Sequence, residues 1–165
     1  MKSTQKNNDL PRPAGSLKGQ RLRSTAFALL AKREHSKQEL KSKLVLYGAD
    51  PDELEPLLAE LTGKNYQSDE RMAGMLVRAN MRKGRGPARI QQELKKHHIE
   101  QELAETDLEE VNWLQQAMEL RIRKFGEALP TEQKEKARQV RFLQYRGFDL
   151  DSCFKAISRN SIEDE

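Results

Sequence analysis

Apolar residues recur along this chain at three- and four-residue intervals, and the runs stop at capping residues, prolines or glycines. Leu22, Ala26, Leu29 and Leu30 form the first stripe, which ends in the polar stretch Lys32-Arg33-Glu34-His35. Ser36 with Glu39 three residues on is a capping box, and it predicts a second helix with Leu40, Leu44 and Tyr47 inward and Gly48 as its left-handed end. Asp50, Pro51 and Glu53 supply an N-cap, an N1 proline and a capping acid for a third helix. Along it Leu54, Leu57, Leu58 and Leu61 keep i, i+3, i+4, i+7 spacing, with Gly63 expected just past the end. A unit of about forty residues is small for a lone core, so it needs neighbours.

The neighbours emerge when the chain is laid over itself. Leu40, Leu44, Gly48, Ala49 and Leu58 fall on Ile90, Leu94, His98, Ile99 and Leu108, all fifty residues later without a gap, and Leu61 falls on Val111. A third copy follows as Leu143, Gly147, Phe148 and Ile157, each ninety-nine residues after Leu44, Gly48, Ala49 and Leu58. The first helices of the later copies are amphipathic too, through Met72, Met75, Leu76 and Ala79 and through Leu114, Met118, Ile122 and Phe125, with Ser68 expected to cap the former. In the middle copy Gly84 and Gly86 break the chain and Pro87 suits the first helical position.

No segment alternates like a strand. The expected fold is all-α: three tandem three-helix, helix-turn-helix-like repeats in an elongated, curved array, each burying its neighbour's apolar edge. The expected boundaries are a flexible tail over 1–20, repeats over 21–65, 66–111 and 112–159, and an acidic tail over 160–165.

Composition fits such an array better than one deep core, since 34% of the 165 residues are charged, 36% apolar and 5% aromatic. The net charge of +4 conceals a banded distribution. Residues 32–43 hold five basic and two acidic groups, 71–98 eight and one, and 121–146 eight and three, whereas 50–70 hold seven acidic and one basic and 99–110 six acidic and none. First and second helices are therefore basic and third helices acidic, which predicts a repeating positive stripe. A solvated face is the simpler account of any single Lys or Arg; repetition argues for the set. The loop Arg82-Lys83-Gly84-Arg85-Gly86 is the most telling part, because glycines let backbone approach phosphates while the flanking cations neutralise them. The alternative is an ordinary basic interhelix turn, since a lone Gly-x-Gly lacks the strand and Lys-Ser/Thr context of a phosphate loop.

Catalytic chemistry has little to stand on. His97 and His98 point about 100° apart on a helix with no ligand at metal spacing, and His98 reads as a helix end. His35 has no nucleophile beside it, Cys153 falls on an apolar face as a core residue, and Trp113 reads as core or repeat interface. No cofactor and no metal are expected. One cysteine excludes an internal disulfide framework, and no apolar run approaches a membrane span or secretory core, so a soluble, cytoplasmic chain without membrane contact is expected.

Several separated motifs together resemble the RecX regulators of bacterial recombinase: Arg33-Glu34-His35-Ser36 with Glu39-Leu40 and Lys43-Leu44, Ser68-Asp69-Glu70-Arg71, Lys83-Gly84-Arg85-Gly86-Pro87-Ala88-Arg89-Ile90 with Glu93-Leu94, Arg123-Lys124-Phe125-Gly126, and Arg146-Gly147-Phe148. The resemblance covers about residues 21–158, with Met72 where the family commonly has Phe. It implies a non-enzymatic, monomeric partner of RecA recombinase and of its nucleoprotein filament on single-stranded DNA. Such a protein limits filament growth, lowers ATPase, strand-exchange and coprotease activity, and binds bare single- or double-stranded DNA only weakly. The expected filament- or DNA-facing set is Arg78, Arg82, Lys83, Arg85, Arg89, Lys95, Lys96, Arg121, Arg123, Lys124, Arg138, Arg141 and Arg146. The alternative is a free-standing helix-turn-helix DNA-binding protein, since capped second helices in three-helix units also suit that role.

Overall fold

The computed structural model describes residues 10–163 and shows an all-α repeat fold. In order come α1 (Gly19–Lys32), α2 (Lys37–Leu46), α3 (Pro51–Gly63), α4 (Asp69–Arg82), α5 (Pro87–Lys96), a 3-10 turn (Gln101–Ala104), α6 (Glu105–Glu109), α7 (Trp113–Phe125), α8 (Gln133–Tyr145) and α9 (Leu150–Ala156). Two compact units meet in sequence at Asp69 and Glu70.

In the first unit the capping residues act as their chemistry dictates. Ser36 Oγ accepts from Glu39 N at 3.1 Å and Asp50 Oδ1 accepts from Asp52 N at 3.0 Å, satisfying donors that a helix start leaves unpaired. Leu22, Ala26, Leu40, Leu44, Leu58 and Leu61 then close a core among the three helices. α3 runs past the expected stop: Gly63 is its last residue, and Asn65 at φ +60° ends it, with Tyr66 N donating to Leu61 O at 2.9 Å. Asparagine tolerates this left-handed backbone better than most residues.

The expected flexible tail is corrected over its second half. Residues 1–9 lie outside the described part, but Arg12 N donates to Leu46 O and Leu17 N to Gly48 O, both at 2.9 Å, while Leu17 O accepts from Asp50 N at 2.9 Å. Leu17 thereby forms an isolated parallel bridge with Ala49, and α1 already begins at Gly19. The α2–α3 turn offers backbone groups that a polar, proline-containing segment can satisfy without any helical period.

The second unit holds two apolar clusters, one around Met72, Val77, Ile90 and Leu94, the other around Met118, Leu143, Phe148 and Cys153. Trp113 packs against both, edge-on to Phe148 at 6.4 Å, with its indole N–H donating to Leu108 O at 3.0 Å. Burial pushes the Cys153 thiol up to about 11, as suits an inert core residue. The third helix of the middle triplet is reduced to the 3-10 turn and the five-residue α6. Where α3 buries Leu54 and Leu57, the matching positions here are Ala104 and Asp107, leaving fewer apolar anchors for a regular helix.

The self-overlay reappears as backbone geometry. Gly48, His98 and Gly147 have φ of +88°, +57° and +102°. In each case the next residue donates five positions back, Ala49 to Leu44 and Ile99 to Leu94 at 2.9 Å and Phe148 to Leu143 at 3.2 Å, and each of these three next residues is buried. Three second helices thus end in the same Schellman turn with the same apolar plug.

Candidate functional site

The basic loop between α4 and α5 is built backbone first. Gly84, at φ +72°, ends α4 by donating to Met81 O, and Arg85 N donates to Asn80 O. Gly86 N then donates to Arg146 O at 2.8 Å and Ala88 N to Gly147 O at 3.0 Å, so this loop lies directly on the turn after α8. A Cβ on Gly86 would stand 2.6 Å from Gly147 C and O. The expectation that these glycines open the backbone to phosphate is therefore corrected: Gly84 and Gly86 are buried, and they serve contact between the second and third triplets.

That docking gathers cations contributed by distant parts of the sequence. Arg146 Nη1 donates to Lys83 O at 3.1 Å, while Arg89 Nε donates to Tyr145 O at 2.9 Å and its guanidinium lies 4.6 Å from the Tyr145 ring centre. On the adjoining surface of α7 and α8, Phe125 and Phe142 meet edge to face at 5.3 Å. Arg146 sits 5.3 Å and Lys124 5.8 Å from the Phe142 ring centre, and Arg138 5.0 Å from that of Phe125. A stripe of cations on aromatic rings results, running from Arg89 through Tyr145, Arg146, Phe142 and Lys124 to Phe125 and Arg138, with the exposed Lys83, whose carbonyl holds Arg146, at its edge. Each cation–π contact is worth roughly 0.5–1 kcal/mol at an exposed site, enough to hold a cation in place while its outer edge still meets an anion. Tyr145 is 73% exposed, so its ring is available to a partner. Arg138 also pairs with both oxygens of Glu135 at 3.1 Å, and that pairing moderates its charge.

The other expected residues lie elsewhere. Arg82, Lys95, Lys96 and Arg123 are exposed at or near helix ends, and Arg78 lies over Gly74 on α4. Arg85 turns back to Asn80 Oδ1 at 2.8 Å, with Glu93 at 3.9 Å. Arg141 belongs to a groove beside α8. Arg121 is a correction: it is fully buried, donating to Gly126 O at 3.3 Å, Ala128 O at 3.5 Å and Asn160 Oδ1, and burial lowers its pKa, so it is structural and meets neither filament nor DNA. The same contact ties Asn160 to the fold, although the segment from 160 was expected to be a tail.

Tyr145, Phe142 and Phe125 are what sequence reasoning missed. With 5% aromatic residues the chain gives little sequence signal for such a surface, and Phe125 falls on the apolar stripe of its helix. The available signal was the spacing Phe142-x-x-Tyr145 with Arg141 and Arg146 as outer neighbours. Among the described residues no helix is long and apolar enough to cross a membrane.

Comparison with known proteins finds a family for the chain. Models of the RecX second and third three-helix domains match residues 68–106 and 110–157. The regulatory protein RecX of Acinetobacter baylyi is 48% identical over 90% of this chain and 92% of its own, and that of Halorhodospira halophila 38% identical over 87% and 91%. The crystal structure of RecX from Lactobacillus salivarius superposes with a TM-score of 0.75 over 86% of this chain and 95% of its own, at 18% identity, a likeness of fold alone. With two domain models matched and relatives alike over nearly their full length, this chain belongs to the RecX family of regulatory proteins.

Proposed function

We propose that the chain is a cytoplasmic, non-catalytic, monomeric regulator that binds RecA-type recombinase and its filament on single-stranded DNA, limiting filament growth and lowering ATPase, strand-exchange and coprotease activity. The observation that carries this reading is the cation–aromatic stripe over the junction of the second and third triplets. A filament on single-stranded DNA carries phosphate along its length, and a row of cations backed by rings suits that charge. The acidic third helices then face basic protein surface or solvent. Family membership supports a regulatory role, and recombinase is the target that the sequence resemblance implies.

The deciding measurement is the DNA-dependent ATPase rate of the recombinase with increasing substoichiometric amounts of this protein. A progressive fall supports the reading, and a flat response rejects it. The exposed Tyr145 ring beside Arg89 and Arg146 favours one rival, a free nucleic-acid binder that stacks bases. That protein binds bare DNA tightly without recombinase and loses affinity steeply with salt, whereas a filament regulator holds bare DNA weakly.

A further inference from the structure

On the flank of α8 away from the cation–aromatic stripe lies a groove of about 700 Å³ that the regulatory reading does not use. Val140 and Ile157 form its floor, Leu129 and Phe154 its walls, and Lys136 and Arg141 its charged rim; no carboxylate lines it among the described residues. Phe154 is 55% and Leu129 39% exposed, so large apolar side chains stand in water on both sides of one depression. Scattered singly, such residues need no explanation; gathered around a concave floor they mark a binding surface.

The groove is also held in shape. Arg121 donates to Gly126 O and Ala128 O in the segment that carries Leu129, and to Asn160 just beyond Ile157 and Ser158. One buried guanidinium thereby fixes both lips. A preformed groove avoids part of the ordering cost that weakens association.

We propose that this groove is a docking site for an acidic, amphipathic segment of a partner protein, a short helix with apolar side chains at i, i+3 or i+4 seated on Val140 and Ile157 and carboxylates meeting Lys136 and Arg141. The charge of the rim selects an acidic occupant, and the size suits two or three apolar anchors. The acidic α3 of a second copy does not supply such a segment, because it already buries Leu54, Leu57, Leu58 and Leu61 in its own core. The proposal does not depend on the recombinase reading, and failure of the ATPase test leaves it standing.

Two labelled amphipathic peptides decide it, identical in their apolar residues but with Glu in one and Lys in the other at every polar position, titrated against the full-length chain. The acidic peptide is expected to bind at least about tenfold more tightly, and Phe154→Ser to remove about tenfold of that affinity. Because Phe154 is exposed, the variant keeps the helical circular dichroism of the parent. Lys136→Glu combined with Arg141→Glu is a second route, expected to reverse the preference towards the Lys peptide. Equal binding of the two peptides, or acidic-peptide binding unchanged in both variants, overturns the proposal. So does self-association of the parent that Phe154→Ser abolishes, since the occupant is then a second copy.

Discussion

Gly86 is decided by a single missing atom. Its α-carbon faces Gly147 closely enough that a methyl group would stand 2.6 Å from peptide atoms, and peptide atoms cannot swing aside as a side-chain tip can. Gly86→Ala is expected to cost about 1–3 kcal/mol in urea denaturation, with the loss accompanied by shifted amide signals at Gly147 and Phe148. Arg121 poses the opposite problem, a charge enclosed by two carbonyls and an amide rather than a carboxylate. Arg121→Met preserves much of the volume but removes the hydrogen bonds to Gly126 O, Ala128 O and Asn160 Oδ1, so a loss of about 1–3 kcal/mol is expected. His35 adds a pH term. Its Nδ1–H donates to Arg33 O at 2.9 Å and its Nε2 accepts from Lys43 Nζ at 3.2 Å; burial lowers its pKa, the Arg33 and Lys43 charges add to that, and the bond to the Arg33 carbonyl and the nearby Glu39 oppose it without reversing it. The unfolded chain takes up this proton near the ordinary 6.5 and the folded chain only at lower pH, so stability is complete above that value and falls as pH drops through the folded pKa. Glu60, held down to about 2 by hydrogen bonds from Arg23 and Lys64, lies well below that window and does not obscure it. The urea midpoint read from the Leu40 and Leu44 amides is expected to fall between pH 7 and 5, and the fall is expected to be shallower in His35→Gln.

At the scale of elements, one turn is used three times with different residues at its left-handed position. His98 occupies at +57° a conformation that a Cβ disfavours, where the equivalent positions hold Gly48 and Gly147. His98→Gly is expected to raise stability by about 0.5–1 kcal/mol, the relief of strain less the added freedom of the unfolded chain, measured as a shift in urea midpoint without change of slope. Gly48→Ala acts oppositely, since its Cβ would also approach Pro13 O to 2.7 Å. These turns, with the caps at Ser36 and Asp50 and the first-position proline Pro87, were legible because their code lies within five or six consecutive residues. The docking of Gly86 on Gly147, the pinning of residues 12–17 and the burial of Arg121 were not, since each depends on partners about thirty to sixty residues away that leave no local period. The fold was therefore readable from short-range chemistry. The site was readable only in part: Arg89, Lys124, Arg138 and Arg146 stood among thirteen candidates, and only the folded structure joins them to Tyr145, Phe142 and Phe125.

For the molecule as a whole, the question is whether charge acts by its sum or by its placement. Thirty basic residues against twenty-six acidic leave a net charge too small to account for strong binding to an anionic assembly. If the sum mattered, reversing any two exposed cations would weaken filament inhibition equally. If placement matters, Lys83→Glu with Lys124→Glu, one at the edge of the stripe and one within it, will weaken inhibition of recombinase ATPase much more than Lys95→Glu with Lys96→Glu at the end of α5, although the two double variants have the same net charge and all four side chains are exposed. Salt separates the partners within the stripe. Each phosphate contact to a single strand contributes about 0.7 to the slope of log affinity against log salt, so the stripe variant is expected to lose on the order of 1 from that slope if its cations meet DNA. A slope that holds while inhibition weakens puts the stripe against recombinase protein, and equal weakening by the two pairs removes the stripe from the interface.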